Sequence, residues 1–303
     1  MTPLEGILVA DKPEGPTSHD IVAEVRRLTA GSRVGHSGTL DPMATGVLPL
    51  LIGRATRLSR FLTASRKAYE GTIRLGLSTD TYDISGRTLA ESSPAVTPEA
   101  LAAAAASLTG PLMQTPPSYS ARKVGGKRLH RLARRGVAVT PEPGPVTVFR
   151  FDVMEFDGAL VRFEVETSPG TYVRSLAHDL GTALGCGACL AALRRVASGS
   201  LRIEGAHPLD EIRRHGLGGT LSHLMVPMRH IDLGLTTVTV TPDGLAAMRA
   251  GRQITTRDIT ATDGPAGGPV RVADEEGNLL GVASPGTDPQ GVEIFRPDVV
   301  LVA

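Results

Sequence analysis

The sequence predicts an α+β protein: an antiparallel or mixed β-sheet with flanking helices, followed by a small all-β module. Three observations carry that prediction. Two segments alternate apolar with polar or small residues at the period of a half-buried strand. They are Tyr69, Gly71, Ile73, Leu75 and Leu77, and then Val161, Phe163 and Val165 set between Arg162, Glu164 and Glu166. Two other segments repeat apolar residues on one helical face, and a third, Ala-rich, lies between helix start and stop signals. From about 232–236 onward the composition shifts to short apolar runs separated by Gly, Pro and Asp turns. A chain of 303 residues with 41% hydrophobic content is long enough for about two domains with packed cores, which excludes a small disulfide scaffold and a disordered chain.

In chain order, Thr17 and Asp20 have the spacing of a capping box, and Ile21, Val22, Val25 and Leu28 then share one face of a helix that Gly31 closes. The first strand covers 69–77. Thr97, Pro98 and Glu99 open a second helix through an Ala-rich stretch to Leu108, and Gly110-Pro111 ends it. After the strand at 161–166, a third helix at about 172–184 aligns Val173, Leu176, Ala177, Leu180 and Leu184, with Gly185 as its stop. Beyond 236, the segments 237–240, 270–273, 279–283 and 299–302 read as short strands, and 262–269 as a loop.

Composition narrows the function. Residues 1–5 lack the basic start of a signal peptide, and the apolar run 6–10 stops at Asp11 and Lys12. No run approaches the ~18 apolar residues of a membrane span. With two cysteines, the expectation is a reduced, cytoplasmic protein with no membrane partner. The net charge of +1 carries no message, but the placement of the 32 basic residues does. Only Lys12, Lys67, Lys123 and Lys127 are lysines. Such a position either needs a compact point charge or is a solvated site indifferent to the choice.

The densest candidate for chemistry is Gly35-His36-Ser37-Gly38-Thr39-Leu40-Asp41-Pro42-Met43-Ala44-Thr45-Gly46, with three glycines, a histidine and a carboxylate. Its glycines would let backbone approach a ligand closely, and no phosphate-loop or dinucleotide spacing fits it. Asp41 before Pro42 also has the form of a helix N-cap with Pro at the first helical position. A second candidate is 122–135, where Arg122, Lys123, Lys127, Arg128, Arg131, Arg134 and Arg135 stand with His130 and no acidic residue. A solvated helix face mixes signs, so this cluster points to a polyanion, and nucleic acid fits better than a membrane because no apolar face accompanies it. Thr115-Pro116-Pro117-Ser118-Tyr119-Ser120 ahead of it reads as a stiff connection. Cys186 and Cys189 have redox or half-zinc spacing without a second pair, and buried thiols are the better reading. The histidines show no ligand spacing, so no metal is expected.

Several blocks together resemble a known family, the bacterial tRNA pseudouridine-55 synthases or TruB family. They are Gly6-Ile7-Leu8-Val9-Ala10-Asp11-Lys12-Pro13, Gly35-His36-Ser37-Gly38-Thr39-Leu40-Asp41-Pro42, Lys67-Ala68-Tyr69, Thr79-Asp80-Thr81, Pro116-Pro117-Ser118-Tyr119-Ser120-Ala121-Arg122-Lys123, Gly170-Thr171-Tyr172-Val173-Arg174 and Leu193-Arg194-Arg195. All four lysines lie inside or beside these blocks. The sequence departs from the pattern at His130, where the family leads us to expect Tyr, and at Cys189, where we expect His.

The resemblance implies a catalytic domain over 1–232 on an antiparallel sheet, with a basic RNA-binding arm at about 115–147, and a PUA-like RNA-binding module over 233–303. It implies cofactor-free isomerisation of uridine 55 to pseudouridine in the T loop of tRNA, by a monomer that binds the T arm and flips the base out of its stack. Asp41 is then the nucleophile, with attack at C1′ or at C6 and assistance to base loss left open. Arg174 is its permanently charged partner. Tyr69 stacks on the flipped base, and its hydroxyl is a candidate for removing the C5 proton. His36 fills the gap the base leaves, Tyr172 and Leu193 wall the pocket, Lys12 orients the loop around Asp41, and Arg128 and Arg131 of the arm bind RNA. Two alternatives stay open: a guide-RNA-dependent pseudouridine synthase with the same core, and a tRNA-binding or tRNA-folding protein without catalysis. The basic arm and the absence of long charged tails favour a stand-alone enzyme, and His36, Asp41, Tyr69 and Arg174 together argue against a purely binding protein.

Overall fold

The computed structural model describes residues 4–120, 122–124, 127–129, 141–264 and 267–302. The chain forms two compact units. One comprises Asp41–Gly46 and Arg66–Ser198, the other Met1–Leu40, Val47–Ser65 and Gly199–Ala303.

The unit that carries Asp41 is built on antiparallel strands in the order Ala188–Ser198, Lys67–Leu75, Leu160–Thr167, Gly144–Phe156, Gly110–Gln114. The alternation seen in the sequence sets the faces: Val161, Phe163 and Val165 are buried, while Arg162 is exposed and Glu164 and Glu166 are half-buried. Gly71 makes room for this packing, since a Cβ there would lie 2.7 Å from both the Phe163 ring and the Ala192 carbonyl. The strand stops at Leu75, short of Leu77. Gly76 turns the chain at φ +76° and donates its N–H to the Gly187 carbonyl at 2.8 Å, so Leu77–Thr79 pairs with Thr88–Glu91 instead. Period-two alternation runs straight through that glycine and does not report the turn.

Two helices of this unit lie wholly within the described residues. Pro98–Ser107 starts where the sequence predicts, with the Thr97 hydroxyl accepting the Ala100 N–H. Val173–Ala183 buries Val173, Leu176, Ala177 and Leu180 and ends at Gly185, φ +71°. It lies directly on the start of the Ala188–Ser198 strand, where a Cβ on Gly181 would come within 2.1 Å of the Ala188 nitrogen.

In the other unit, Gly6–Lys12 pairs antiparallel with Met225–Pro227 and parallel with His207–Pro208. Helix Ser18–Leu28 has the predicted reciprocal cap, with Thr17 N–H on Asp20 Oδ2 at 2.8 Å and Asp20 N–H on Thr17 Oγ1 at 3.2 Å. A six-stranded sheet follows in the order Ile254–Thr255, Glu293–Val300, Leu279–Thr287, Val270–Ala273, Thr237–Val240, Ile259–Thr262. Its strands close over Val238, Val240, Met248, Val270, Val272, Leu280 and Phe295. This module is not all-β. Pro242–Arg249 is a helix, capped by the Thr241 hydroxyl with Pro242 in its first turn, in a Thr-Pro-Asp-Gly stretch that reads as a turn because Pro and Gly fall together. Leu279, Val282 and Leu301 share a core with Ile7, Val9, Leu51 and Leu58. Arg54 and Arg57 donate to the carbonyls of Leu301 and Val300. No helix among the described residues is long and apolar enough to cross a membrane.

Candidate active site

Asp41 caps no helix. The chain turns after it, with the Ala44 N–H on the Asp41 carbonyl at 3.0 Å, and enters the strand Thr45–Ile52, so the N-cap reading of Asp41-Pro42 fails. The start of that strand is anchored by Gly46. Thr45 and Gly46 pair in parallel with Arg194 and Arg195, and a Cβ on Gly46 would sit 2.2 Å from the Arg195 carbonyl oxygen. At φ +95°, glycine is the residue this approach requires.

The Asp41 side chain, 41% exposed, meets the guanidinium of Arg174, 5% exposed, with Nε to Oδ2 at 2.8 Å. Arg174 lies in the first turn of helix Val173–Ala183, and three further groups hold its fork. Nη1 donates to the Thr81 carbonyl at 2.9 Å and lies 3.4 Å from Asp83 Oδ2, and Nη2 donates to the Tyr119 carbonyl at 3.0 Å. One nitrogen therefore serves Asp41, and the rest of the fork is spent on the loops at 79–85 and 115–120. A buried guanidinium held this way has one orientation, which it imposes on the carboxylate it meets.

Asp83 is not among the residues the sequence singles out. It is 7% exposed, and its Oδ1 accepts from the Thr81 hydroxyl at 2.9 Å, the Ser85 N–H at 3.1 Å and the Ser85 hydroxyl at 2.5 Å. Two hydroxyl residues flanking an aspartate at two-residue spacing are the available signal, since they form turns around it. Tyr82 in the same loop adopts φ +64°, unusual for an aromatic, and its ring stacks on His178 with centroids 4.0 Å apart and planes 7° from parallel. Burial, and then the charge of Asp179, push its phenol pKa up. This stack joins the 79–85 loop to the helix one turn beyond Arg174.

The other predicted residues fall as follows. Tyr69 and Leu193 are each 9% exposed on neighbouring strands. Tyr69 stands opposite Arg195, the residue paired with Gly46, and Leu193 stands opposite Gly71. Tyr172 is the N-cap of the Arg174 helix and is half-buried. Lys12 and His36 belong to the other unit. Lys12 is fully buried with Nζ on the Pro13 carbonyl at 3.0 Å, and His36 sits edge-on to His19, centroids 5.6 Å apart. Arg128 is on the short strand Lys127–Arg128, which pairs with Lys123–Val124. Arg131 lies outside the described residues, as do His130, Arg134 and Arg135. Cys189 is a buried thiol pushed up to about 11 by burial, as an inert small hydrophobe should be; Cys186 is only half-buried.

Comparison with known proteins shows the family of the chain. Residues 26–173 match the TruB family pseudouridylate synthase N-terminal domain, and 174–231 match the tRNA pseudouridylate synthase B C-terminal domain. The chain is 42% identical to the tRNA pseudouridine synthase B of Solibacter usitatus (strain Ellin6076), over 92% of this chain and 95% of that one. It is 40% identical to the protein of the same name from Synechococcus sp. (strain ATCC 27144 / PCC 6301 / SAUG 1402/1), over 99% of both. Among solved structures, a chain in a Cbf5-Nop10-Gar1 complex superposes with a TM-score of 0.77 at 26% identity, covering 97% of this chain and 83% of that one. A chain in an H/ACA RNP bound to a substrate RNA containing 2'-deoxyuridine gives 0.76 at 24%, covering 98% and 85%, a likeness of fold. Identity near 40% over nearly the whole chain, together with the two matching domains, leaves one conclusion: the chain belongs to the TruB family of pseudouridylate synthases.

Proposed function

We propose that this chain isomerises uridine 55 in the T loop of tRNA to pseudouridine, with Asp41 as the nucleophile. One observation carries the reading: a solvent-accessible carboxylate held at 2.8 Å by a guanidinium that is itself buried and engaged at every nitrogen. The reaction breaks the N1–C1′ bond, joins C1′ to C5, removes the C5 proton and leaves a proton on N1, so no atom is gained or lost. Asp41 Oδ2 is engaged by Arg174, and the remaining oxygen is the one that attacks. Because the target is stacked in folded RNA, the base must leave its stack, and Tyr69 offers the flat face on which it rests. Tyr172 and Leu193 line that pocket. His36 takes the place of the departed base, and Lys12, buried to its ammonium, orders backbone and does not touch the base. The enzyme works as a cytoplasmic monomer on the T arm.

The tRNA assignment draws on relatives near 40% identity named tRNA pseudouridine synthase B; the ribonucleoprotein chains, at 24–26%, share the fold. The test is incubation of wild-type protein and Asp41→Asn with unmodified tRNA, reading pseudouridine at each uridine. Wild type should modify one T-loop uridine without added guide RNA, and Asp41→Asn should bind tRNA and make no product. Turnover by Asp41→Asn, or a requirement for guide RNA, overturns the reading. In the arm, replacing Arg128 and Arg131 with Gln should flatten the plot of log affinity against log salt, by about 0.7–0.9 for each phosphate no longer neutralised, and leave the saturating single-turnover rate nearly unchanged.

A further inference from the structure

The helix that carries Arg174 has no side-chain N-cap of its own, because its cap position is Tyr172. The first turn of a helix is where its backbone donors lack internal partners and where it frays most readily, yet here that turn must aim a guanidinium at four groups. Gln114 supplies what the cap does not. It is 3% exposed at the end of the strand Gly110–Gln114, and its carboxamide closes on the backbone of Tyr172 from both sides. Oε1 accepts the Tyr172 N–H at 2.8 Å, and Nε2 donates to the Tyr172 carbonyl at 3.1 Å. That carbonyl also accepts the Leu176 N–H at 3.2 Å, the first bond of the helix. An amide is suited to this because it carries a donor and an acceptor side by side; a carboxylate lacks the donor and an apolar chain lacks both.

The next residues extend the grip. The Thr115 carbonyl accepts the Ser175 hydroxyl at 2.8 Å, and the Tyr119 carbonyl accepts Arg174 Nη2 at 3.0 Å. Residues 172, 174 and 175 are thus each tied to the segment 114–119, and only Gln114 does so through its side chain.

We propose that Gln114 is a positioning residue for the reaction: by fixing Tyr172 it sets where the first helical turn begins, and so where Arg174 holds Asp41, without itself touching substrate. The proposal rests on the reading of Asp41 and Arg174 as the reacting pair. A displacement of about 1 Å at a reacting group costs on the order of 10²-fold in rate, so the anchoring of this turn bears directly on the reaction. Gln114→Met keeps length and volume and removes both hydrogen bonds; Gln114→Glu keeps shape and the acceptor and removes the donor.

The experiment measures tRNA affinity and single-turnover rate at saturating enzyme for Gln114→Met, for Arg174→Lys and for the double variant, with Gln114→Glu replacing Met should Met fail to give a cooperative melt. We expect a rate about 10- to 100-fold lower in Gln114→Met with unchanged affinity, and a further loss of less than about 3-fold when the change is made on Arg174→Lys, since residues that act through one another are not additive. A wild-type rate, an affinity loss matching the rate loss, or full additivity with Arg174→Lys each overturns the proposal. Wild type and Asp41→Asn run in the same assay separate the two ideas: turnover in Asp41→Asn removes the premise, whereas its absence leaves the Gln114 results to decide the inference alone.

Discussion

The turn at 41–46 and the loop at 79–85 each bring one carboxylate to the same guanidinium, and they treat it in opposite ways. Asp83 is 7% exposed and receives the Thr81 hydroxyl, the Ser85 N–H and the Ser85 hydroxyl besides Arg174. Asp41 is 41% exposed and is held by Arg174 through Oδ2. An ionised carboxylate has about four acceptor sites, and a nucleophile needs one unspent and reachable. Asp83 has spent its own on the loop, whereas Asp41 remains in reach of a ligand. Burial and hydrogen bonding therefore separate the acid that serves the arginine from the acid that the arginine serves.

Three substitutions put this contrast to the test, and a fourth asks what burial does to a charged lysine. The largest effect is expected for Asp41→Asn, where single-turnover pseudouridine formation should fall by about 10⁴-fold or more, the scale of losing an essential group, while the urea midpoint hardly moves because Asp83 still faces Arg174. A large loss of stability without loss of rate would exchange the roles of the two acids. Arg174→Lys keeps the charge and cannot reach Asp41, the Thr81 carbonyl and the Tyr119 carbonyl together, so the rate should drop about 10²-fold with tRNA affinity retained. Matched losses of rate and affinity would make Arg174 a phosphate-binding residue.

Asp83→Asn should act mainly on stability. Its amide oxygen can still accept from Ser85, but the buried negative charge opposite Arg174 is gone. We expect about 3 kcal/mol lost by urea titration, the low end for one partner of a buried pair, because Asp41 remains on the guanidinium. A stability equal to wild type would mean that Asp83 contributes no more than an exposed acid.

The smallest effect concerns a buried charge that faces another cation. Lys67, on the Tyr69 strand, is pushed down to about 8 by burial and then by the charge of Arg195. Below pH 8 it is charged in both folded and unfolded chains, and the full cost of burying that charge is present. As pH rises from 8 toward the ordinary 10.5, the folded form releases its proton while the unfolded form keeps it, so this residue's contribution to stability improves. Urea midpoints at about pH 7.5 and about pH 9.5, either side of the folded-state value, should therefore rise more with pH in the wild type than in Lys67→Met. Parallel pH profiles for the two proteins would remove Lys67 from the account.

What could be read in advance follows the range of the interaction. The Thr17–Asp20 cap, the alternation through Phe163 and the apolar stripe of helix Val173–Ala183 all involve residues within about four positions of each other, where side-chain period and cap chemistry act directly. The pair Asp41 and Arg174 is legible through the family motif. Gln114 is not, and Asp83 shows only its flanking hydroxyl residues, because the partner that gives each its role lies far along the chain. Gln114 reaches 58 residues to Tyr172, and the Arg174 fork reaches 93 residues to Thr81 and 55 to Tyr119.

Local pattern alone decides that there is a helix at about 172–184, a strand over 161–166, a basic cluster at 122–135 and a glycine-rich segment around Asp41. It leaves open whether that Asp begins a helix or faces an arginine, and whether Leu279 and Val282 pack within their own module or share a core with Ile7. Those outcomes depend on which strands become neighbours. Once Gly46 lies against Arg195 and the helix lies against Ala188 through Gly181, the turn at 41 and the first turn of that helix converge, and only then do a carboxylate and a guanidinium from distant segments meet at 2.8 Å. Backbone hydrogen bonding and close packing between strands set that distance, and neither leaves a periodic trace in the residues it joins.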